Sequence, residues 1–260
     1  MIATIAKSAK VSLIVPTYRE RENIAPLLAA ICPVLSDWDY EVIFVDDGST
    51  DGTAEAIQEA MSRNPRIRLI VRRGERGLAG AVVRGFAEAT GSILGSINAD
   101  LSHDASILPN LIGAIEGGAE LAVGSRRIPG GGFSRWPWYR RLASDIATAM
   151  TTRVLRVPLS DPMSGFYFLR RSAFERSRSE LKGHGFKLML EFAVIGRPFP
   201  ITEVPYVFKN RERGSSKMSP KVAVQFLRML WQLGSLTRSR RRRPLSDRMP
   251  VAQSRETRSS

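Results

Sequence analysis

Short β-branched runs alternate with helix-periodic stretches through the first half of this chain, and that alternation constrains the fold most. Val11–Val15, Glu41–Val45, Ile67–Val71, Ser92–Ile97 and Leu121–Val123 read as strands. Between them Arg21–Val34, Thr53–Met61, Leu78–Ala89 and Ile107–Ile115 read as helices, the first with Ile24, Leu27, Leu28 and Ile31 on one face. Pro16 closes the first strand, and Thr50 or Asp51 is a candidate N-cap for the second helix. Strand–helix–strand repeats need crossover connections, which give parallel pairs and a sheet covered on both faces. The expectation is an α/β chain with a mostly parallel central sheet flanked by helices.

Ligands of such sheets bind beyond the carboxyl ends of the strands. Four polar clusters fall there: Thr17-Tyr18-Arg19-Glu20, Asp46-Asp47, Asn98-Ala99-Asp100 and Ser125-Arg126. Any one of them suits an ordinary turn; four on one edge mark a site. Asp46 and Asp51 read rather as caps of the following helix than as substrate contacts.

After Arg126 the pattern changes. Pro129-Gly-Gly-Gly132 reads as a flexible break, and Trp136-Pro137-Trp138-Tyr139-Arg140-Arg141 opens a helix to about Leu155. Trp136 and Trp138 suit either a core or an interface. A loop, Asp161-Pro-Met-Ser-Gly-Phe166, leads into a strand at Tyr167–Leu169. Gly185–Ile195 reads as a helix, Ile201–Val204 as a strand and Arg211–Lys217 as a basic loop. Lys221–Ser235 is amphipathic, with Lys221, Gln225, Arg228, Gln232 and Ser235 as a narrow polar stripe. Its wide apolar arc can pack on the domain or lie in a membrane interface. Residues 1–236 then form one domain ending in the helix 219–236, and residues 237–260 a basic tail with too few apolar groups to fold.

Composition removes several alternatives. One cysteine, Cys32, excludes an intramolecular disulfide and a thiolate metal cluster, and suits a reducing, cytoplasmic setting. With only His103 and His184, a His-rich metal site or a Ser-His-Asp triad has little support, and both read as incidental. No run of about 18 apolar residues occurs, and the first ten residues do not read as a signal peptide. A soluble or peripheral protein is expected. The net charge is +14; eight Arg against Asp247 and Glu256 put six of those charges in the tail, leaving eight elsewhere. Such a balance favours phosphates, anionic lipid or nucleic acid as partners. No nucleic-acid motif accompanies it, so nucleic acid is not expected.

The segments VPTYRERENI (15–24), VDDGSTDGT (45–53), GLAGAVVRGF (77–86), NADLSH (98–103), GSR (124–126), WPWYRR (136–141), DPMSGF (161–166), GFKLMLE (185–191) and RERGSSK (211–217) resemble the family 2 glycosyltransferases. Within them the likeness is to the dolichol-phosphate mannose synthases and their bacterial polyprenyl-phosphate relatives. It runs through nearly all of residues 11–236. The first two segments are common to many family 2 enzymes; the later ones are sharper for the lipid-phosphate subgroup.

The resemblance implies a GT-A fold and inverting transfer of mannose from GDP-mannose to a polyprenyl or dolichyl phosphate. Such an acceptor puts the chain at a membrane surface, expected on its cytoplasmic face and peripheral; with no membrane span read in the sequence, attachment would fall to the C-terminal helix or to a separate membrane-anchoring protein. Pro16, Tyr18, Glu20, Val45 and Asp47 would hold the nucleoside, Asp47 by accepting a ring N–H. The segment Asn98, Ala99, Asp100, Ser102 would face the diphosphate, with Asp100 and Ser102 as ligands of Mg²⁺ or Mn²⁺. Lys187, Arg213 and Lys217 would clamp the donor phosphates. Arg126, Arg140 and Ser144 would receive the lipid phosphate, and Asp100, Arg126 and Arg140 would carry the catalysis.

Two positions depart from the family pattern: Asn98 stands where an Asp is typical and Ser102 where Gln is frequent. Less charge on the ligands implies weaker metal binding. A lipid phosphate is largely dianionic at neutral pH, so attack needs no strong general base. Three alternatives stay open on sequence: glucosyl, GlcNAc or aminoarabinose transfer to undecaprenyl phosphate, a catalytically weak nucleotide- and lipid-phosphate-binding protein, and a nucleic-acid binder.

Overall fold

The structure, a computed structural model, describes residues 9–134, 136–182, 188–196, 199–209 and 226–235. Five parallel-type strands come first: β1 (Val11–Thr17), β2 (Tyr40–Asp46), β3 (Ile67–Val71), β4 (Ile93–Ser96) and β5 (Leu121–Ser125). Helices α1 (Arg21–Leu35), α2 (Thr53–Arg63), α3 (Leu78–Glu88) and α4 (Leu108–Glu116) connect them, the last after a 3-10 turn at Ala105–Ile107. Then follow β6 (Gly132–Phe133), α5 (Trp138–Leu155), β7 (Tyr167–Arg170), α6 (Arg171–Ser177), α7 (Leu188–Ile195), β8 (Ile201–Pro205) and β9 (Val207–Phe208). A last helix, α8, covers 226–235.

Seven strands form one sheet in the order β3-β2-β1-β4-β7-β5-β8, and β6 pairs with β9 in a small second sheet. Only β7 runs against the others of the main sheet. The chain winds outward from β1 to β3, then crosses back to place β4 on the other side of β1. That reversal is a topological switch point, where a crevice opens beyond the strand ends. The carboxyl ends of β1, β2, β4, β5 and β8 share one edge, and the loop entering antiparallel β7 reaches that edge too.

Period-2 alternation divides the core. Val11, Leu13 and Val15 pack with Ile24, Leu27, Ile31, Ile57, Leu111 and Ile115 on one face. Ile14, Ile43 and Val45 pack with Val82, Phe86, Phe174, Phe192 and, from α8, Met229, Leu230 and Leu233 on the other. Each fully buried Phe or Leu contributes about 1.5–3 kcal/mol. At Gly85 a Cβ would stand 2.6 Å from Ile14 Cγ2, so glycine lets α3 sit close to the sheet.

Pro16 does not close β1, which continues to Thr17. The odd residues of β1 bond towards β2, as in Val11 N–H to Asp39 O and Asp47 N–H to Thr17 O, and the even ones towards β4, as in Ile97 N–H to Ile14 O. At Pro16 β4 has already ended, so the missing N–H costs no ladder bond. The Pro129–Gly132 stretch is not merely a break either: Gly132 opens β6 and pairs with Val207. Of the 219–236 helix, the described part packs on the domain through Met229, Leu230 and Leu233 while Trp231 is 75% exposed. The 237–260 tail lies outside the described residues.

Candidate active site

Two loops at the ends of β1 and β2 are laced together. Arg19 N–H donates to Ser49 Oγ at 2.8 Å, Glu20 N–H to Thr53 Oγ1 at 3.0 Å and Arg21 N–H to Asp51 Oδ2 at 3.4 Å. Asp46 accepts from Ser49 N–H at 2.8 Å and from Thr17 Oγ1 at 3.2 Å. It therefore braces the turn rather than capping α2. Asp51 accepts from Thr53 N–H and hydroxyl at 3.2 and 2.6 Å, while the N-cap position itself is Gly52, at φ 90°. Burial works to raise the Asp51 carboxyl, but hydrogen bonds from Thr53 and Arg21 outweigh it and hold the group low.

Asp47 is buried and doubly engaged: Arg72 Nε donates to Oδ1 at 2.7 Å, and Gly77 N–H to Oδ2 at 2.8 Å. Arg72 also donates to Gly77 O at 3.1 Å, so this ion pair folds the 72–77 loop against the crevice. Arg76 of that loop lies 4.7 Å from the centre of the Tyr18 ring. Pro16, Tyr18, Glu20 and Asp47 thus share one wall. Val45 does not join them through its side chain, which is fully buried under α3.

The segment after β4 turns sharply, with Leu101 at φ 58°. Asp100 is buried, and its Oδ1 accepts from the Ser102 hydroxyl and from Ser102 N–H at 3.2 Å. Ser102 is itself wholly buried, which makes it a brace for Asp100 before anything else. Ala99 is buried in the core. His103 stacks on Phe166, centroids 4.8 Å apart, and its Nδ1 accepts from Asn98 N–H at 3.2 Å. It is structural rather than incidental: it pins the Asn98–Asp100 segment to the Asp161–Phe166 loop.

Among the described residues no group of three or more His, Cys, Asp or Glu could hold a metal. A hard cation that keeps several waters and bridges substrate phosphates needs only one or two protein carboxylates. Asp100, with its braced carboxylate, fits that more modest role.

Arg126, at the end of β5, is buried and paired with fully buried Asp161. Its Nε and one terminal nitrogen donate at 2.6 and 2.8 Å, and its backbone N–H at 3.0 Å. Burial opposes the charge, yet the Asp161 carboxylate raises the Arg126 pKa further. Buried Tyr206 reports on the whole crevice. Burial raises its pKa, with Arg126 pulling it down and Asp161 and Asp100 pushing it up. Those three charges therefore lie within electrostatic reach of one buried phenol.

Helix α5 is joined to the segment after β5 through Arg127. Arg140 and Ser144, one turn apart, are on its half-buried side. The neighbour of Ser144 is Arg127 rather than Arg126: its terminal nitrogens donate to Ser144 Oγ at 3.0 Å and to Asp145 Oδ1 at 2.7 Å. Phe133 takes Arg126 and Arg127 at 5.0 and 5.6 Å from its ring centre. Lys187, Arg213 and Lys217 lie outside the described residues.

The model of the family described as glycosyl transferase family 2 matches residues 12–178. This chain is a family 2 glycosyltransferase. The glycosyltransferase is 41% identical over 226 residues to the dolichol-phosphate mannosyltransferase of Pyrococcus furiosus, covering 86% of this chain and 63% of that protein. It therefore spans less than two thirds of that relative's length. It is 39% identical over 238 residues to the dolichol-phosphate mannosyltransferase of Saccharomyces cerevisiae, covering 87% of each. To the polyprenol monophosphomannose synthase of Mycolicibacterium smegmatis it is 35% identical over 227 residues, covering 84% of each. Glucosyl-3-phosphoglycerate synthase of Mycobacterium tuberculosis, solved with UDP, shares the GT-A fold at a TM-score of 0.64 and 17% identity, over 88% of this chain and 81% of that one. The same enzyme was also solved with Mn²⁺, UDP and its product, and superposes at 0.63 with 18% identity, over 88% and 80%.

Arg72, Asp161, Arg127 and His103 are contributions that no motif assigned. Asp161 stood inside a quoted segment without a role. Arg72 and Arg127 look like two more arginines in a chain rich in them, and only folding shows which carboxylates they meet.

Proposed function

We propose that this glycosyltransferase moves mannose from GDP-mannose to a polyprenyl or dolichyl phosphate, with inversion, on the cytoplasmic face of a membrane. The names of its relatives support the sugar and the acceptor. The observation that supports the reading is the order of the strand ends: Tyr18 and Asp47 follow β1 and β2, Asp100 follows β4, and Arg126 and Arg127 follow β5, with Arg127 bonded to Ser144 one turn after Arg140 on α5. A donor diphosphate would lie along the first and an ionised acceptor along the last, with the sugar between.

Mg²⁺ or Mn²⁺ held at Asp100 would supply charge neutralisation for the departing diphosphate. The chain's own residues do the rest. Ser102 and His103 fix Asp100 and its loop; Arg213, Lys217 and Lys187 would meet the donor phosphates; Arg140 and Ser144 would orient the acceptor. His103 uses Nδ1 as the acceptor of a backbone N–H, so that nitrogen is no base. None is needed when the nucleophile is a phosphate.

Helix α5 supports the membrane placement. Trp138, Leu142, Ile146, Met150 and Val154 recur every four residues and are 76%, 51%, 53%, 37% and 47% exposed. Arg140, Ser144 and Thr151 point the other way, half-buried or buried, while Asp145 is exposed beside the stripe. A helix with apolar groups outward and polar groups inward suits a bilayer interface, and Arg141, Arg153 and Arg156 flank the stripe as exposed cations. A Cβ at Gly234 would stand 3.3 Å from Val154, so α8, with exposed Leu227 and Trp231, extends the same surface. Among the described residues no helix is long and apolar enough to cross a membrane; a membrane-anchored partner protein could share the surface.

Incubation with labelled GDP-mannose and a short polyprenyl phosphate, with and without Mg²⁺ or Mn²⁺, tests the reading. Lipid-linked mannose is expected, and Arg140→Ala should lower transfer while GDP binding is kept. Product from UDP-glucose or UDP-GlcNAc alone would overturn the donor; nucleotide binding with no product at any metal concentration would overturn the activity.

A further inference from the structure

We propose that Arg127 is a further acceptor-phosphate residue, and that Asp145 occupies its guanidinium until the phosphate displaces it. This rests on the acceptor reading above. Three observations lead to it. First, Arg126 is already committed: Asp161 takes two of its side-chain N–H groups and its backbone N–H in a buried pair. The two charges cancel locally, so Arg126 by itself offers an incoming dianion little net attraction. Second, Arg127 reaches the residue expected at the phosphate, donating to Ser144 Oγ at 3.0 Å. By accepting that bond, Ser144 keeps its own hydroxyl hydrogen for a phosphate oxygen. Arg140, one turn before Ser144, brings a second cation from the same helix.

Third, the guanidinium is incompletely satisfied. Its Nε–H is buried without an acceptor, and one terminal nitrogen holds Asp145 at 2.7 Å, where the Arg127 and Asp145 side chains are 18% and 48% exposed. A pair that open to water is weak. A phosphate monoester carries about −1.5 to −2 charges at neutral pH and can take an arginine through two parallel hydrogen bonds. Asp145, on the surface side of α5, can swing into water at small cost. No bond is made or broken; a carboxylate leaves and a phosphate takes its place.

Binding of farnesyl phosphate in neutral detergent micelles, with farnesol as the uncharged control, tests this without turnover. Tryptophan fluorescence of the full chain is the signal. The wild-type protein should prefer the phosphate. Arg127→Ala should cut that preference about 10- to 100-fold, as loss of a charged hydrogen-bond partner does, and Arg127→Lys by less. Asp145→Asn should tighten phosphate binding about 2- to 5-fold by removing a weak competing ion pair. GDP-mannose affinity should not move in any variant. Thermal melts identify a variant that fails to fold, and then Asp145→Asn decides. An unchanged phosphate-to-alcohol ratio in Arg127→Ala, or weaker binding in Asp145→Asn, would overturn the proposal. A wild-type protein indifferent to the phosphate would sink the acceptor reading itself, which the control ligand makes visible.

Discussion

Asp161→Asn should be among the most destabilising single changes available in this chain, and the reason is local. Asp161 is fully buried and Arg126 is 8% exposed. Removing the charge leaves a guanidinium that cannot shed its proton, and the new amide turns an NH2 towards one of the three Arg126 N–H groups that the carboxylate accepted. Breaking one half of a buried pair costs about 3–5 kcal/mol. Arg126→Met should cost as much near neutral pH but less in acid, because a buried carboxylate without its partner takes up a proton instead. The double variant Arg126→Met/Asp161→Leu should lose only about 1–2 kcal/mol, since replacing the whole pair by apolar groups is often close to neutral. Urea unfolding followed by circular dichroism reads this directly. With a slope of about 2–3 kcal/mol per molar, Asp161→Asn should lower the midpoint by roughly 1.5–2 M. Additive single and double effects, or an Arg126→Met penalty that does not shrink between pH 7.5 and 4.5, would refute the reasoning.

Three further outcomes are expected. Burial works to raise the Glu41 carboxyl, but hydrogen bonds from Ser12, Thr90 and Arg68 hold it at about 2, against an ordinary 4.5. A depressed carboxylate stabilises above its unfolded value and loses that contribution as pH falls through the folded one. The stability gap between wild type and Glu41→Gln should therefore be at most about 3 kcal/mol at pH 7, less what solvent screening removes, and close between pH 4.5 and 2; a gap independent of pH in acid titration by fluorescence would contradict it. Asp100→Ala should lower metal-dependent transfer by about 10²-fold or more, the scale of losing one electrostatic contact to a transition state, with unchanged activity in chelator as the contrary result. Trp138→Ser/Ile146→Ser should weaken sedimentation with anionic liposomes by several-fold while leaving the melting temperature alone, because neither side chain belongs to the core; unchanged sedimentation would place the membrane contact elsewhere.

Much of this was legible in the chain because the signals were local. Strand ends and the four polar clusters follow from periodicity, and β1 to β5 lie within two residues of expectation. Pro16 misled because a proline looks like a stop unless the neighbouring strand is known to have ended. The two-residue strands β6 and β9 carry no periodicity at all, and α6, at seven residues, is too short for one. Val45 and Ala99 sit inside site motifs, yet their side chains serve the core, since alternate residues of a segment face opposite sides. Ser102 was expected beside a metal, and its burial and bonds to Asp100 add a task that position alone did not signal, bracing that carboxylate. Arg126 and Arg127 are adjacent in sequence with opposite environments. One faces a carboxylate 35 residues ahead and the other a helix 17 residues ahead, which is information only the tertiary fold contains.

The orientation of α5 ties the chemistry to the proposed location. An α-helix with its side chains is about 10–12 Å across, so a phosphate at Ser144 lies within roughly one helix diameter of the exposed Ile146 and Met150 face. An interfacial helix buries its apolar face about 5–10 Å into the headgroup boundary. With α5 seated that way, the site cations stand at about the height of the headgroups, and a lipid phosphate could reach Arg127 and Arg140 with its chain still in the bilayer. A helix turned the usual way, apolar face to the protein, would force the lipid to leave the membrane before reacting. The exposed apolar stripe of α5 is thus what the proposed reaction needs if its acceptor is to keep its chain in the bilayer.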